Sequence, residues 1–203
     1  MNKSPSYAND LRVEVIDLHK QQDFDDLIVQ RKICGWSFSE EVIAKWRDLA
    51  DKGLKTIFWI VLPDQEDPKV GHISLASKAE PNDPDLAQED KSVMTISSFF
   101  ILPQYRGGGI GRKVMDLMED MATKEPYGSP NCKAIAIDTF SYKYYDHSHP
   151  LWEMTKKHLE KQPSNQLWYE RRGYVRFTEK PRYVEKTIGG DIIFDAAFLR
   201  KEF

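Results

Sequence analysis

SVMTISSFFILPQYRGGGIGRKVMDLMEDM, Ser92 to Met121, carries three patterns in succession. Thr95 to Leu102 is short, apolar and rich in β-branched and aromatic residues, which predicts a buried strand that Pro103 ends. Gly107, Gly108 and Gly109 follow, then Ile110 and Gly111. Val114, Leu117, Met118 and Met121 recur at helical spacing on one face. A helix that opens at a glycine loop presents unpaired backbone N–H groups and the positive end of its dipole, a site that suits phosphate. Arg106 and Arg112 add positive charge on either side of the loop.

Two familiar phosphate loops fail on register. A P-loop needs glycine followed by Lys-Ser/Thr, and no glycine here precedes a lysine. A GxGxxG fingerprint begun at Gly107 would need glycine where Arg112 stands, and begun at Gly109 it would need one where Val114 stands. What stands there, Arg106-Gly107-Gly108-Gly109-Ile110-Gly111 after a strand and a Pro-x-Tyr lead-in, resembles the RxxGxG acetyl-CoA signature of the GNAT N-acetyltransferases. A second stretch, LWYERRGY at Leu167 to Tyr174, resembles the C-terminal LYExxGF helix of the same family.

The order of elements agrees. Leu11–Leu18 alternates as a strand, and Asp23–Ile33 reads as a helix. Ser37 and Glu40 read as the capping box of a second helix that ends at Gly53. Lys55–Leu62 and Val70–Leu75 form a hairpin, and Lys133–Thr139 is a fifth strand after the central helix. Trp152–Lys161 and Gln166–Arg172 read as helices. Tyr174–Phe177, Tyr183–Ile188 and Ile192–Arg200 read as strands around Gly189-Gly190. The resemblance implies an α/β (α+β) fold over a single domain, residues 1–203: a mixed, splayed central sheet flanked by helices. Residues 1–10 are expected to fray. Residues 140–164 are an insertion after the fifth strand. The loop 77–91, with five acidic residues and two prolines in KAEPNDPDLAQEDK, is expected to be solvated and mobile.

Composition bounds the partners. The chain has 203 residues, 40% of them hydrophobic, a net charge of -3 and a pI near 6.0, so it offers nucleic acid no general attraction. That acidic balance favours a cationic acceptor. Cys34 and Cys132 are the only cysteines, without CxxC spacing, so reduced cytosol is the expected compartment. No apolar run is long enough to span a bilayer or act as a signal, so no membrane partner is expected.

By the resemblance, acetyl-CoA is the co-substrate, a small-molecule or peptide amine is the acceptor, and the protein is a monomer or homodimer. The backbone of Phe99, Phe100 and Ile101 would lie beside the pantetheine, and Arg106 to Arg112 (Gly107, Gly108, Gly109, Ile110, Gly111) would hold the pyrophosphate. Tyr169 takes the place of the tyrosine that protonates the leaving thiolate. Many relatives carry Asn seven residues before that tyrosine. Here that position is Gln162, and Asn165 is the nearby candidate contact. Trp36, Phe38, Tyr144, Tyr145 and Trp152 are candidate acceptor contacts. The central strand lacks the glutamate that serves some relatives as general base, which leaves Asp138, Asp146 and His147 as candidates. His147 and His149 share an HxH spacing, but the chemistry needs no metal. An alternative on the same fold is a catalytically silent acyl-CoA-binding or interaction module, which turnover with a panel of amines would separate from an enzyme.

Overall fold

The computed structural model describes residues 10–159, 163–187 and 190–203. Residues 1–9, Gln162 and the last two residues of the expected 152–161 helix therefore lie outside the described residues, as do Ile188 and Gly189. The chain divides into two compact units, Met1–Lys133 and Ala134–Phe203.

In the first unit β1 (Arg12–Val15), β2 (Lys55–Val61), β3 (Lys69–Ala76) and β4 (Val93–Ile101) pair in sequence order, each antiparallel to the next. β2 is covered on both faces. Ile57, Trp59 and Val61 join Leu27, Ile28, Ile43 and Trp46 in one core, while Phe58 meets Tyr127 edge-on at 5.1 Å. Alternation explains the split, since successive side chains of a strand point to opposite faces.

α1 (Gln21–Cys34) ends where Gly35 enters the left-handed region at φ 85° and donates its N–H to the Arg31 carbonyl. α2 (Glu40–Asp51) starts two residues later than the Ser37 capping box predicts. Its N-cap is Ser39, whose hydroxyl accepts from the Val42 amide at 3.4 Å, whereas Ser37 sits at φ 51°. α3 (Ile110–Ala122) buries Ile110, Val114, Met115, Met118 and Ala122. Met115 is thus a core residue, and Leu117 and Met121 lie at the half-buried margins of the stripe.

The acidic loop after β3 is more anchored than its composition suggests. Leu86 is fully buried, with Ala79 and Ala87 nearly so, and Gln88 donates its amide to the Val93 carbonyl. One leucine among charged neighbours escaped a reading weighted by average polarity.

In the second unit β7 (Gly190–Glu202) is flanked by β5 (Ala134–Phe140) and β6 (Val175–Thr187), both antiparallel to it. α4 (Trp152–Leu159) and α5 (Asn165–Glu170) precede the β6–β7 pair. β6 is one strand, not two short ones. The polar stretch Thr178–Arg182 stays paired to β7 through two register shifts, one of them beside Pro181. The chain compensates for its polarity by laying Lys180 and Arg182 over the buried Phe198 ring.

Candidate functional site

The candidate site of the first unit is β4 and the loop after it. His72 faces Phe100 and Ser74 faces Ser97, so β4 spends one extra residue between those pairs. The extra residue forms a β-bulge at Ser98, where φ is 52°. A bulge breaks the ladder and turns a backbone amide away from its neighbour, which a uniformly apolar strand pattern does not reveal. Gly107 and Gly109 adopt φ 88° and 83°, and a β-carbon at either would meet no atom within 4 Å. Their need for glycine is therefore conformational, and the space beside them is open. Gly109 is the N-cap of α3, so the amides that open this helix face outward with no preceding turn to bond.

Arg106 is less directly aimed at an anion than its place in the motif suggests. Its Nε donates to the Ile101 carbonyl at 2.9 Å and its guanidinium lies 5.4 Å from the Phe100 ring centre. Arg112 is exposed in the first turn of α3. Phe100 is buried, and Phe99 and Ile101 are half-buried.

In the second unit Tyr169 is buried on α5, with its ring edge-on to Trp168 at 5.0 Å and Tyr174 at 5.7 Å. Burial first, and the Asp138 carboxylate second, push its phenol well above the ordinary tyrosine value, with Arg172 opposing. Asp138 itself accepts from Arg182 Nε at 3.1 Å and from the Tyr183 hydroxyl at 3.3 Å. Asn165 is exposed as the first residue of α5. The capping hydroxyl is that of Ser164, which accepts from the Leu167 amide at 3.3 Å.

A buried polar chain in the first unit was not visible in the sequence. Gln30 donates to the Lys69 carbonyl at 2.7 Å, which leaves its side-chain oxygen to accept from His72 Nδ1 at 2.9 Å. His72 Nε2 therefore carries the lone pair, and Arg31 Nη1 lies 3.4 Å from it. Burial and the neighbouring Arg31 charge hold His72 well below the usual imidazole value, so it stays neutral and is a poor general base. Beside it Lys55 donates to Ser97 Oγ at 3.1 Å, Ser97 Oγ lies 2.8 Å from Ser74 Oγ, and Glu80 lies 3.5 Å from Lys55 Nζ. The one signal in the sequence is an inconsistent helix: α1 buries Gln30 and Arg31 yet leaves Val29 and Ile33 more than half exposed.

The GNAT acetyltransferase family model matches residues 22–153. The chain belongs to this family. No curated protein matches it in sequence. Solved GNAT structures resemble it along nearly the whole chain at low identity. The spermidine/spermine N-acetyltransferase SpeG of Vibrio cholerae is 13% identical with a TM-score of 0.57, over 95% of this chain and 92% of that one. The Salmonella typhimurium acetyl transferase that modifies the N-terminal serine of ribosomal protein L7/L12 is 14% identical, TM-score 0.60, over 97% of each chain. Arabidopsis thaliana NAA60 in complex with acetyl-CoA is 14% identical, TM-score 0.60, over 95% of this chain and 98% of that one. These likenesses show the fold, a mixed sheet flanked by helices, and with the family match they make the protein a GNAT acetyltransferase of the α/β class.

The residues expected to meet the acceptor separate by burial. Trp36 and Phe38 are about half exposed in the connection between α1 and α2. Tyr144 is a packing residue of the second unit: it is buried against Phe140, Phe194 and His149, and its hydroxyl accepts from the Asp195 amide at 2.9 Å. Trp152 is buried with its ring stacked on His147 at 4.2 Å. Tyr145 is half-buried and stacks on Tyr142. Of the candidate bases, Asp146 is engaged in a local turn. It accepts from the Ser148 amide and hydroxyl, and these bonds lower its pKa. His149 Nδ1 accepts from the Leu151 amide. Among the described residues no group of three or more His, Cys, Asp or Glu could hold a metal, and no helix is long and apolar enough to cross a membrane.

Proposed function

We propose that this GNAT protein moves an acetyl group from acetyl-CoA to a primary amine by direct attack within a ternary complex. The observation that carries the reading is the succession of a bulged β4, left-handed glycines and an open helix N-terminus between Val93 and Ile110. The residues fit the co-substrate: a cradle of amides with no β-carbon in the way suits a pyrophosphate, and a strand whose ladder is broken suits a pantetheine amide. Acetyl-CoA supplies the activated acetyl group. The amides from Gly107 to Arg112 hold the diphosphate, and the bulged backbone at Ser98–Ile101 donates to negative charge as it develops on the carbonyl.

Tyr169 is the candidate group that donates to the departing sulfur. Its raised pKa keeps the phenol protonated throughout the neutral range, as a donor requires. The neighbours act on amines by their own names, on spermidine and spermine or on a protein N-terminus, which supports an amine acceptor here. Two free cysteines fit a reducing cytoplasm. Calorimetry with acetyl-CoA, followed by thiol release with a panel of amines, tests the reading. Binding with turnover supports it. Binding without turnover of any amine would make the protein a silent acyl-CoA-binding module, and absence of binding would end both readings.

A further inference from the structure

Arg31 is placed where a structural arginine should not be. It is only 4% exposed, and its Nε is buried with no hydrogen-bond acceptor among the described residues. No carboxylate lies within ion-pair distance of it among those residues. Its guanidinium meets one neutral imidazole nitrogen at 3.4 Å and the Trp46 ring at 5.5 Å, and the Cys34 thiol one turn on is close enough to act on it electrostatically. A guanidinium has five donors, and buried charges are ordinarily paired because burial without a partner is costly. Lys55, on the same tryptophan at 4.9 Å, has its counter-charge in Glu80. Arg31 has none.

The surroundings hold Arg31 in place and do not neutralise it. Gln30 is anchored to the β3 backbone, His72 is anchored to Gln30, and the lone pair so directed meets Arg31. His72 also faces Phe100 across the β3–β4 ladder, with ring centres 5.5 Å apart, directly after the bulge. The chain thus runs from the last turn of α1 to the strand segment assigned to the acetyl donor. α1 turns two polar residues inward and two large aliphatic ones outward to make this arrangement.

We propose that Arg31 anchors a carboxylate carried by the amine acceptor, so that the substrate is a small amine bearing a carboxylate, such as an amino acid, and not a polyamine. This rests on the acetyltransferase reading and reverses the preference suggested by the overall acidic balance, because the local unpaired charge decides what binds beside it. A carboxylate would supply a counter-charge and accept from Nε, the Arg31 donor that has no acceptor among the described residues.

The test uses amine pairs that differ only in the carboxylate: lysine against 1,5-diaminopentane, and phenylalanine against 2-phenylethylamine. A hydrogen-bonded charge contact discriminates by about 10- to 150-fold. The parent should favour the carboxylate member by that factor in kcat/KM, mostly through KM. Arg31→Gln, which keeps donors for His72 but removes the charge, should bring the two members of a pair together, and Arg31→Lys should restore part of the preference. A merely structural Arg31 would lower both members equally, and that result, or a parent preference for the decarboxylated member, overturns the proposal. If no amine turns over, Nα-acetyl-lysine and Nα-acetyl-phenylalanine are titrated calorimetrically in the presence of CoA. Binding to the parent and not to Arg31→Gln keeps the carboxylate site while the transfer reading falls, and absence of binding to either protein sinks the site itself.

Discussion

Gly109→Asp separates the folding role of the glycine loop from its proposed binding role. At φ 83° a residue with a side chain sits in the left-handed region, which costs roughly 1–2 kcal/mol. No steric term is added, because a β-carbon there meets nothing within 4 Å. The carboxylate at the N-cap of α3 gains about 0.3–1 kcal/mol from the helix dipole, so the net loss of stability should be about 1 kcal/mol. Binding changes far more. A unit negative charge about 5 Å from a phosphate charge opposes it by about 3 kcal/mol at an effective dielectric constant near 20. Acetyl-CoA affinity should therefore fall by about 100-fold. Gly109→Ala carries the same backbone strain without the charge, and should lose stability at least as much and affinity much less. The assays are denaturant unfolding for stability and calorimetric titration with acetyl-CoA for affinity. If the folded Asp variant binds acetyl-CoA as tightly as the parent, the loop does not hold the phosphates and the reasoning fails.

Tyr169→Phe should slow the single-turnover rate by about 10- to 100-fold at unchanged acetyl-CoA affinity, toward the low end of what a positioned acid supplies because a raised phenol pKa makes donation to sulfur harder. Equal rates across pH would remove the tyrosine from the mechanism. Leu86→Ala should destabilise the fold by about 2–4 kcal/mol in chemical denaturation, whereas a loop with nothing buried would lose less than about 0.5 kcal/mol. The His72 pKa is depressed by folding, so its contribution to stability is fully present above the unfolded value near 6.5 and is lost as pH falls below it, with a slope of up to about 1.4 kcal/mol per pH unit. His72→Gln should flatten that part of the stability–pH curve, and an identical slope in the variant would show that other groups carry it.

The strand, glycine loop and helix of Val93–Ala122 could be read from the chain because each is local: alternation, glycine permissiveness and helical spacing all act within a few residues. The same holds for LWYERRGY, where α5 and the left-handed Gly173 follow from neighbouring residues. Residues that depend on a partner were hidden. The bulge at Ser98 exists only as a mismatch of register between β3 and β4, and no pattern in β4 alone encodes it. Ser39 outcompetes Ser37 as N-cap because the cap must be extended, and Ser37 is left-handed in the turn before it. Leu86 has no periodic neighbours, so only the tertiary structure shows that it is core.

Arg31 and His72 mark the limit most clearly. Arginine and histidine look like surface residues in a sequence, and their burial depends on α1, α2 and β3 closing around them. Composition and motif determined the family and the glycine loop, since short-range rules select a glycine-opened helix. Tertiary packing decided which charges lie together and unpaired, because burial removes the solvent that would otherwise screen them.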